Sequence, residues 1–215
     1  MDVNEIANKL LKGTTTIGII CKDGVVMGAD SRATMDTFIA SSEAVKVYKI
    51  DEQLGMTIAG SVAFAEYLVK VLKVQNEFYK MTEGKPLSPG AAASLLSMVL
   101  QENANPYLLE FTAVQLIVGG INKDVPELYD LDPLGGISKE SKFFSSGSGS
   151  LTALGYLESV FVPDMSADEA ARHTVKALKI AMKRDSATGD NIKVVAVTKK
   201  GFKEYSKEEI EKLSK

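Results

Sequence analysis

The chain has 215 residues, 45% of them apolar and 25% charged, and its formal net charge is −3. That length suits one large domain able to bury a core without covalent staples, and the composition excludes disordered and collagen-like architectures. Lysines spread along the chain leave no electrostatic footprint for nucleic acid, and the single cysteine, Cys21, excludes an internal disulfide and a cysteine-based metal site.

Cys21 sits in an apolar strand pattern and reads as a small buried hydrophobe in a reducing compartment. No apolar run approaches the roughly 20 residues a membrane helix needs. Residues 1–13, "MDVNEIANKLLKG", lack the apolar core of a secretory leader, so the expected location is the cytoplasm, away from any membrane.

In chain order, "TTTIGIIC" and "VVMGAD" predict two strands joined at Lys22-Asp23-Gly24, where Asp-Gly is a hairpin signal. "AVKVYKI" and "LGMTIAG" predict a second pair turning at Asp51-Glu52. From Ser61 the period changes: Phe64, Leu68, Val71, Leu72 and Phe78 fall at helical spacing, and "SPGAAASLLSMVLQENA" repeats the pattern with a proline near its start. "FTAVQLIVGGI", "PELYDLD" and "KFFSSG" then read as strands, and "SSGSGS" at 145–150 as a tight turn against a strand and a helix rather than a linker. Ser166-Ala167-Asp168-Glu169 and Ser206-Lys207-Glu208-Glu209 have capping-box form; the first opens a helix to about Arg184 and the second closes the chain. "IKVVAVT" and "FKEYS" lie between them as strands. This order departs from regular βαβα alternation. Two stacked antiparallel sheets with helices on both outer faces would bury all of these apolar faces, an α+β, four-layer αββα sandwich.

With one histidine in the chain, only His173 could serve a Ser-His-Asp triad; it lies in an amphipathic helix far from any serine motif and reads as a solvated side chain. Nucleophile elbow, Walker loop, dinucleotide fingerprint and zinc spacing are all missing. The stretch "KGTTTIG" offers another route. Cleavage between Gly13 and Thr14 would give Thr14 both a hydroxyl nucleophile and a free α-amine. Such an amine has a pKa near ~8 and can accept the hydroxyl proton, so no imidazole is needed.

Thr14-Thr15-Thr16, Gly28-Ala29-Asp30-Ser31-Arg32, Lys46, Ala59-Gly60, Gly147-Ser148-Gly149 and Arg184-Asp185-Ser186-Ala187-Thr188-Gly189, in that order, resemble the proteasome β subunits, N-terminal-nucleophile hydrolases, in the archaeal style. The resemblance runs from about residue 13 to 205. It implies a propeptide, residues 1–13, removed by autolysis between Gly13 and Thr14, and a single catalytic domain over 14–215. It also implies that Thr14 is the nucleophile, that Lys46 lowers the pKa of its hydroxyl, and that Asp30 holds Lys46 charged and oriented. Ser148, Asp185 and Thr188 would position the terminal amine, and the Gly60 N–H would form the oxyanion hole.

On the same resemblance, substrate would lie as an added strand against Thr34 and Val62. Ala33, Ala44, Tyr48, Ile58 and Val62 would line an apolar specificity pocket, giving cleavage after hydrophobic residues. Lys46 is expected to share its strand face with Ala44 and Tyr48, with Val45 and Val47 on the other. The chain departs from the family at Phe64, where aspartate is usual, and at Asp190, where a second glycine is common. The implied assembly stacks seven-membered β rings between α rings, with α subunits and other β subunits as partners, polypeptides as substrate, an AAA ATPase acting through the α rings, and no cofactor or metal. A non-catalytic ring subunit, a small-molecule amidohydrolase and a two-ring bacterial-type threonine peptidase remain as alternatives.

Overall fold

The computed structural model describes residues 13–35, 37–105 and 109–214, so the propeptide expected over 1–13 lies outside the described residues except for Gly13. The amino-terminal strands β1 (Thr15–Cys21) and β2 (Gly24–Asp30) pair antiparallel around the two-residue turn Lys22-Asp23. A short hairpin follows, β3 (Ala33–Met35) and β4 (Phe38–Ser41), which the sequence pattern does not announce because its side chains are largely exposed. Next come β5 (Val47–Asp51), β6 (Leu54–Gly60) and the helices α1 (Val62–Glu83) and α2 (Pro89–Glu102). A four-residue helical turn, α3 (Leu109–Thr112), leads into β7 (Val114–Asn122), β8 (Val125–Leu131), β9 (Ile137–Glu140) and β10 (Phe143–Gly147). The chain ends with α4 (Ser150–Val160), α5 (Ala167–Met182), β11 (Ile192–Thr198), β12 (Gly201–Glu204) and α6 (Lys207–Leu213).

Two five-stranded antiparallel sheets result, in the orders β10-β1-β2-β11-β12 and β5-β6-β7-β8-β9. Strand β2 is buried along its whole length because both its faces are covered. Val25, Met27 and Ala29 pack with Ile117, Leu128, Val195 and Val197 between the sheets. Val26 turns outward into a layer with Ala171, Val175 and Leu178 of α5 and with Ala153 and Leu157 of α4. Leu68 and Leu72 of α1 and Leu96 and Leu100 of α2 cover the second sheet at Met56, Leu116 and Val118. Each fully buried side chain of this size contributes about 1.5–3 kcal/mol of hydrophobic stabilisation. Three apolar layers between four layers of elements make the αββα sandwich.

The expected capping boxes at Ser166/Glu169 and Ser206/Glu209 are both formed, each serine accepting the glutamate N–H while the glutamate side chain accepts the serine N–H. Helix α1 starts differently. Its N-cap Ser61 makes no side-chain cap, and its first turn holds no acid. Phe64, standing where the family usually has aspartate, stacks on Tyr67 with ring centroids 5.9 Å apart. Boundaries shift from expectation: β7 begins at Val114, since Phe111 and Thr112 belong to the helical turn, the β5–β6 turn is Glu52-Gln53, and β5 begins at Val47 instead of Ala44. The later start of β5 matters for the site. Among the described residues, no helix is long and apolar enough to cross a membrane.

Candidate active site

The site forms at one end of the first sheet, where β1 begins, β2 ends and the turn before β11 closes over both. Asp30, the last residue of β2, is 1% exposed. One carboxylate oxygen accepts the Thr15 N–H at 2.9 Å and the Lys46 ammonium at 3.0 Å. The other accepts the N–H groups of Arg32 at 3.1 Å and Gly189 at 3.0 Å. Four donors on one carboxylate tie the nucleophile strand, the lysine and the 185–190 turn to a single point. Lys46 also donates to the Arg32 carbonyl. Burial pulls its ammonium below the ordinary lysine range, while Asp30 pulls the other way and loses. The expected effect of Asp30 is therefore present in direction but is outweighed by desolvation.

A second carboxylate organises the other side. Asp185 accepts the hydroxyls of Ser148 and Thr188 and the N–H of Ala187. Because the Thr188 hydrogen is committed to Asp185, the 2.8 Å contact between the Thr188 and Thr15 hydroxyls must be donated by Thr15. Ser148 Oγ also lies 3.4 Å from the Thr14 carbonyl oxygen, but its one hydrogen goes to the nearer acceptor, Asp185. The Thr14 N–H points into the same region, donating to the Ala187 carbonyl at 3.3 Å.

Thr14 itself is strained. Its φ is +82°, following Gly13 at +88°. A β-branched residue in the left-handed region is a genuine outlier, costing roughly 1–3 kcal/mol and kept only where the surroundings impose it. The chain here runs against β10, with Thr15 opposite Gly147. Gly147 approaches so closely that a Cβ there would lie 2.2 Å from the Thr14 carbonyl oxygen.

Thr14 and Lys46 line one pocket with Gly13, Arg32, Ala33, Thr34, Ala44, Val45, Ile58, Gly60 and Val62. Gly60 has φ +116°, and any side chain would meet the Ala113 carbonyl at 2.4 Å, so glycine is required beside the pocket. Of the expected lining residues, Ala33, Thr34, Ala44, Ile58 and Val62 gather here. Tyr48 does not. It packs against the apolar core between the second sheet and its helices, and its hydroxyl donates to the Val45 carbonyl at 2.9 Å. Val45, expected on the opposite face from Lys46, lines the pocket instead. The reason is local: residues 43–46 precede β5 and are not in a strand, so two-residue alternation does not govern where they point. Arg32 was also missing from the expected lining. His173, expected to be solvated, is half-buried with Nδ1 3.1 Å from the Tyr156 hydroxyl, and burial lowers its pKa. Among the described residues, no cluster of three or more histidine, cysteine, aspartate or glutamate side chains is gathered as a metal would need. Cys21 is buried as expected, and burial pushes its thiol up to about 11.

The sequence matches the family described as "Proteasome subunit" over residues 10–197. Proteins named "Proteasome subunit beta" are similar over nearly all of both chains. One from Archaeoglobus fulgidus is 44% identical over 209 residues, covering 97% of this chain and 96% of its own. Another, from Methanocaldococcus vulcanius, is 47% identical over 205 residues, covering 94% of this chain and 90% of its own. A third, from Methanosarcina mazei, is 44% identical over 203 residues, covering 94% and 95%.

Proposed function

This chain belongs to the proteasome subunit family as one of its β subunits, and we propose that it is a catalytic one, a threonine endopeptidase whose nucleophile is Thr14. The observation that carries the reading is the shared pocket of Thr14 and Lys46, with Asp30 bonded to both the Thr15 N–H and the Lys46 ammonium.

Maturation comes first. With the Gly13–Thr14 bond intact there is no free α-amine, and the buried Lys46, its pKa lowered, is the basic side chain that shares the Thr14 pocket. The Thr14 oxygen attacks the Gly13 carbonyl carbon, the peptide nitrogen leaves with a proton, and the resulting ester is hydrolysed by water. The products are the carboxylate of residues 1–13 and the free amine of Thr14. Left-handed backbone at Thr14, a β-branched residue, raises the energy of the uncut chain, whereas Gly13 adopts its own positive φ at little cost; cleavage frees the Thr14 backbone.

Hydrolysis of substrate repeats the chemistry with the amine as base. The Thr14 hydroxyl gives its proton to the α-amine as it attacks, and the Lys46 ammonium stabilises the developing negative charge on oxygen. The Gly60 N–H faces the carbonyl oxygen as charge builds there. Asp185, with Ser148 and Thr188, orients the amine. Ala33, Ala44, Val45, Ile58 and Val62 give the pocket an apolar wall suited to hydrophobic residues on the acyl side of the cut bond. Such a subunit works in a core particle built with α and β subunits, where enclosure restricts cleavage to unfolded chains.

Mass spectrometry of assembled particles tests the reading. Wild-type chains should begin at Thr14, while Thr14→Ala should retain residues 1–13 and hydrolyse no peptide. Removal of those residues from Thr14→Ala particles lacking any active subunit would overturn the assignment.

A further inference from the structure

We propose that Arg32 and Asp190 form a latch over the 185–190 turn, and that Asp190 is a positioning residue for the catalytic centre of this chain. The inference rests on the threonine-peptidase reading above. The turn delivers three groups to the site: the Asp185 carboxylate, the Ala187 carbonyl that accepts the Thr14 N–H, and the Gly189 N–H that binds Asp30. A turn with that many duties must be held in register.

Arg32 does the holding from the two-residue connection between β2 and β3. Its guanidinium donates to the Ser186 carbonyl at 2.9 Å, and on the far side of the turn to the Asp190 carboxylate, Nε at 3.0 Å and Nη2 at 3.4 Å. Between these anchors it lies flat on Gly189, where a Cβ would be 2.3 Å from Cζ, so only glycine admits it. The backbone of Arg32 meanwhile donates to Asp30 and accepts from Lys46. One residue therefore ties the Asp30 centre to the turn that carries Asp185.

Asp190 explains itself only through this contact. Its φ is +68°, a conformation that glycine adopts freely and an L-residue adopts at a cost of roughly 1 kcal/mol. The side chains of Arg32 and Asp190 are 22% and 24% exposed, and a pair so accessible to solvent adds little net stability. The pair thus barely offsets the backbone cost. What it supplies is geometry: a planar fork fixed to a carboxylate in two places.

Asp190→Asn tests the latch, because asparagine tolerates the same backbone and keeps the side-chain size while removing the charge. The expected result is a roughly fivefold fall in kcat with KM within about twofold, an unchanged melting temperature, and faster amide exchange at Gly189. Arg32→Lys, which keeps the charge but cannot fork, should match it, and the double variant should be no worse than either single one. Raising salt should lower wild-type kcat toward that of Asp190→Asn and leave the variant flat. Wild-type kcat and salt response in Asp190→Asn, with Gly189 exchange unchanged, would overturn the latch while leaving the peptidase reading intact. An impaired Arg32→Lys beside a normal Asp190→Asn would also overturn it, assigning Arg32 to the pocket wall alone. Wild-type particles that never hydrolyse peptide would instead sink the peptidase reading, and Gly189 exchange would then decide the latch by itself.

Discussion

Asp30 and Asp185 sit on either side of Thr14 and are fed by different kinds of donor. Three of the four donors on Asp30 are backbone N–H groups and the fourth is the Lys46 ammonium, so its geometry is set by the surrounding main chain. Two of the three donors on Asp185 are hydroxyls, Ser148 and Thr188, which rotate freely about their C–O bonds. The first centre is rigid and holds a charge already present. The second is adjustable and suits a charge that appears only when the Thr14 amine is released. Pre-organisation is placed where both maturation and hydrolysis need it, and adaptability where only the mature enzyme does.

The sharpest way to break this contrast is Asp30→Asn. An amide would point a donor at backbone N–H groups that also donate, and would leave Lys46 buried without its counter-charge. Breaking one partner of a buried pair costs roughly 3–5 kcal/mol. We expect both propeptide removal and hydrolysis to fall by about a thousandfold or more, with a lowered melting temperature; intact mass and peptide turnover read both together. Ser148→Ala should do less, and unevenly. With no amine to orient before cleavage, maturation should proceed within a few-fold of normal while kcat of the mature particle falls about tenfold. Equal losses in the two steps would erase the proposed division of labour.

Much of this was legible in the sequence, and the reasons differ by element. Strands β1, β2 and β7 announce themselves because they are covered on both faces and read as apolar runs, and α5 because a capping box opens an amphipathic repeat. The motif residues Thr14, Asp30, Lys46, Gly60, Ser148, Asp185 and Thr188 pointed to one site, and all border the same end of the sandwich. Three features lay beyond a reading of local pattern. The β3–β4 hairpin and β9 are short and mostly exposed, so they carry no burial periodicity. Val45 and Tyr48 exchange their expected places because an irregular segment interrupts alternation just before β5. Asp190 stands where the family commonly has glycine, and nothing local reveals its use; its partner Arg32 is 158 residues away and only folding joins them.

A third carboxylate calibrates the other two. Asp130, on β8 opposite Ser138 of β9, is partly buried near two further acids, Glu140 and Asp132. Burial first, then those two charges, pushes its carboxyl up to about 7. Where Asp30 is met by N–H groups and an ammonium, Asp130 is met by acids. A carboxyl whose folded pKa is raised binds its proton more tightly in the folded chain than in the unfolded one. Its contribution is therefore whole below about pH 4, where both states are protonated, and is lost as pH climbs to about 7. Asp130→Asn removes that loss. It should stabilise the isolated subunit by about 1 kcal/mol at pH 8 once solvent screening is allowed for, with the gain shrinking as pH falls toward 5. Denaturant midpoints at several pH values read the slope directly. A gain that stays constant with pH would mean that Asp130 titrates as an ordinary carboxylate, and that burial beside like charges is not what separates it from the two aspartates of the site.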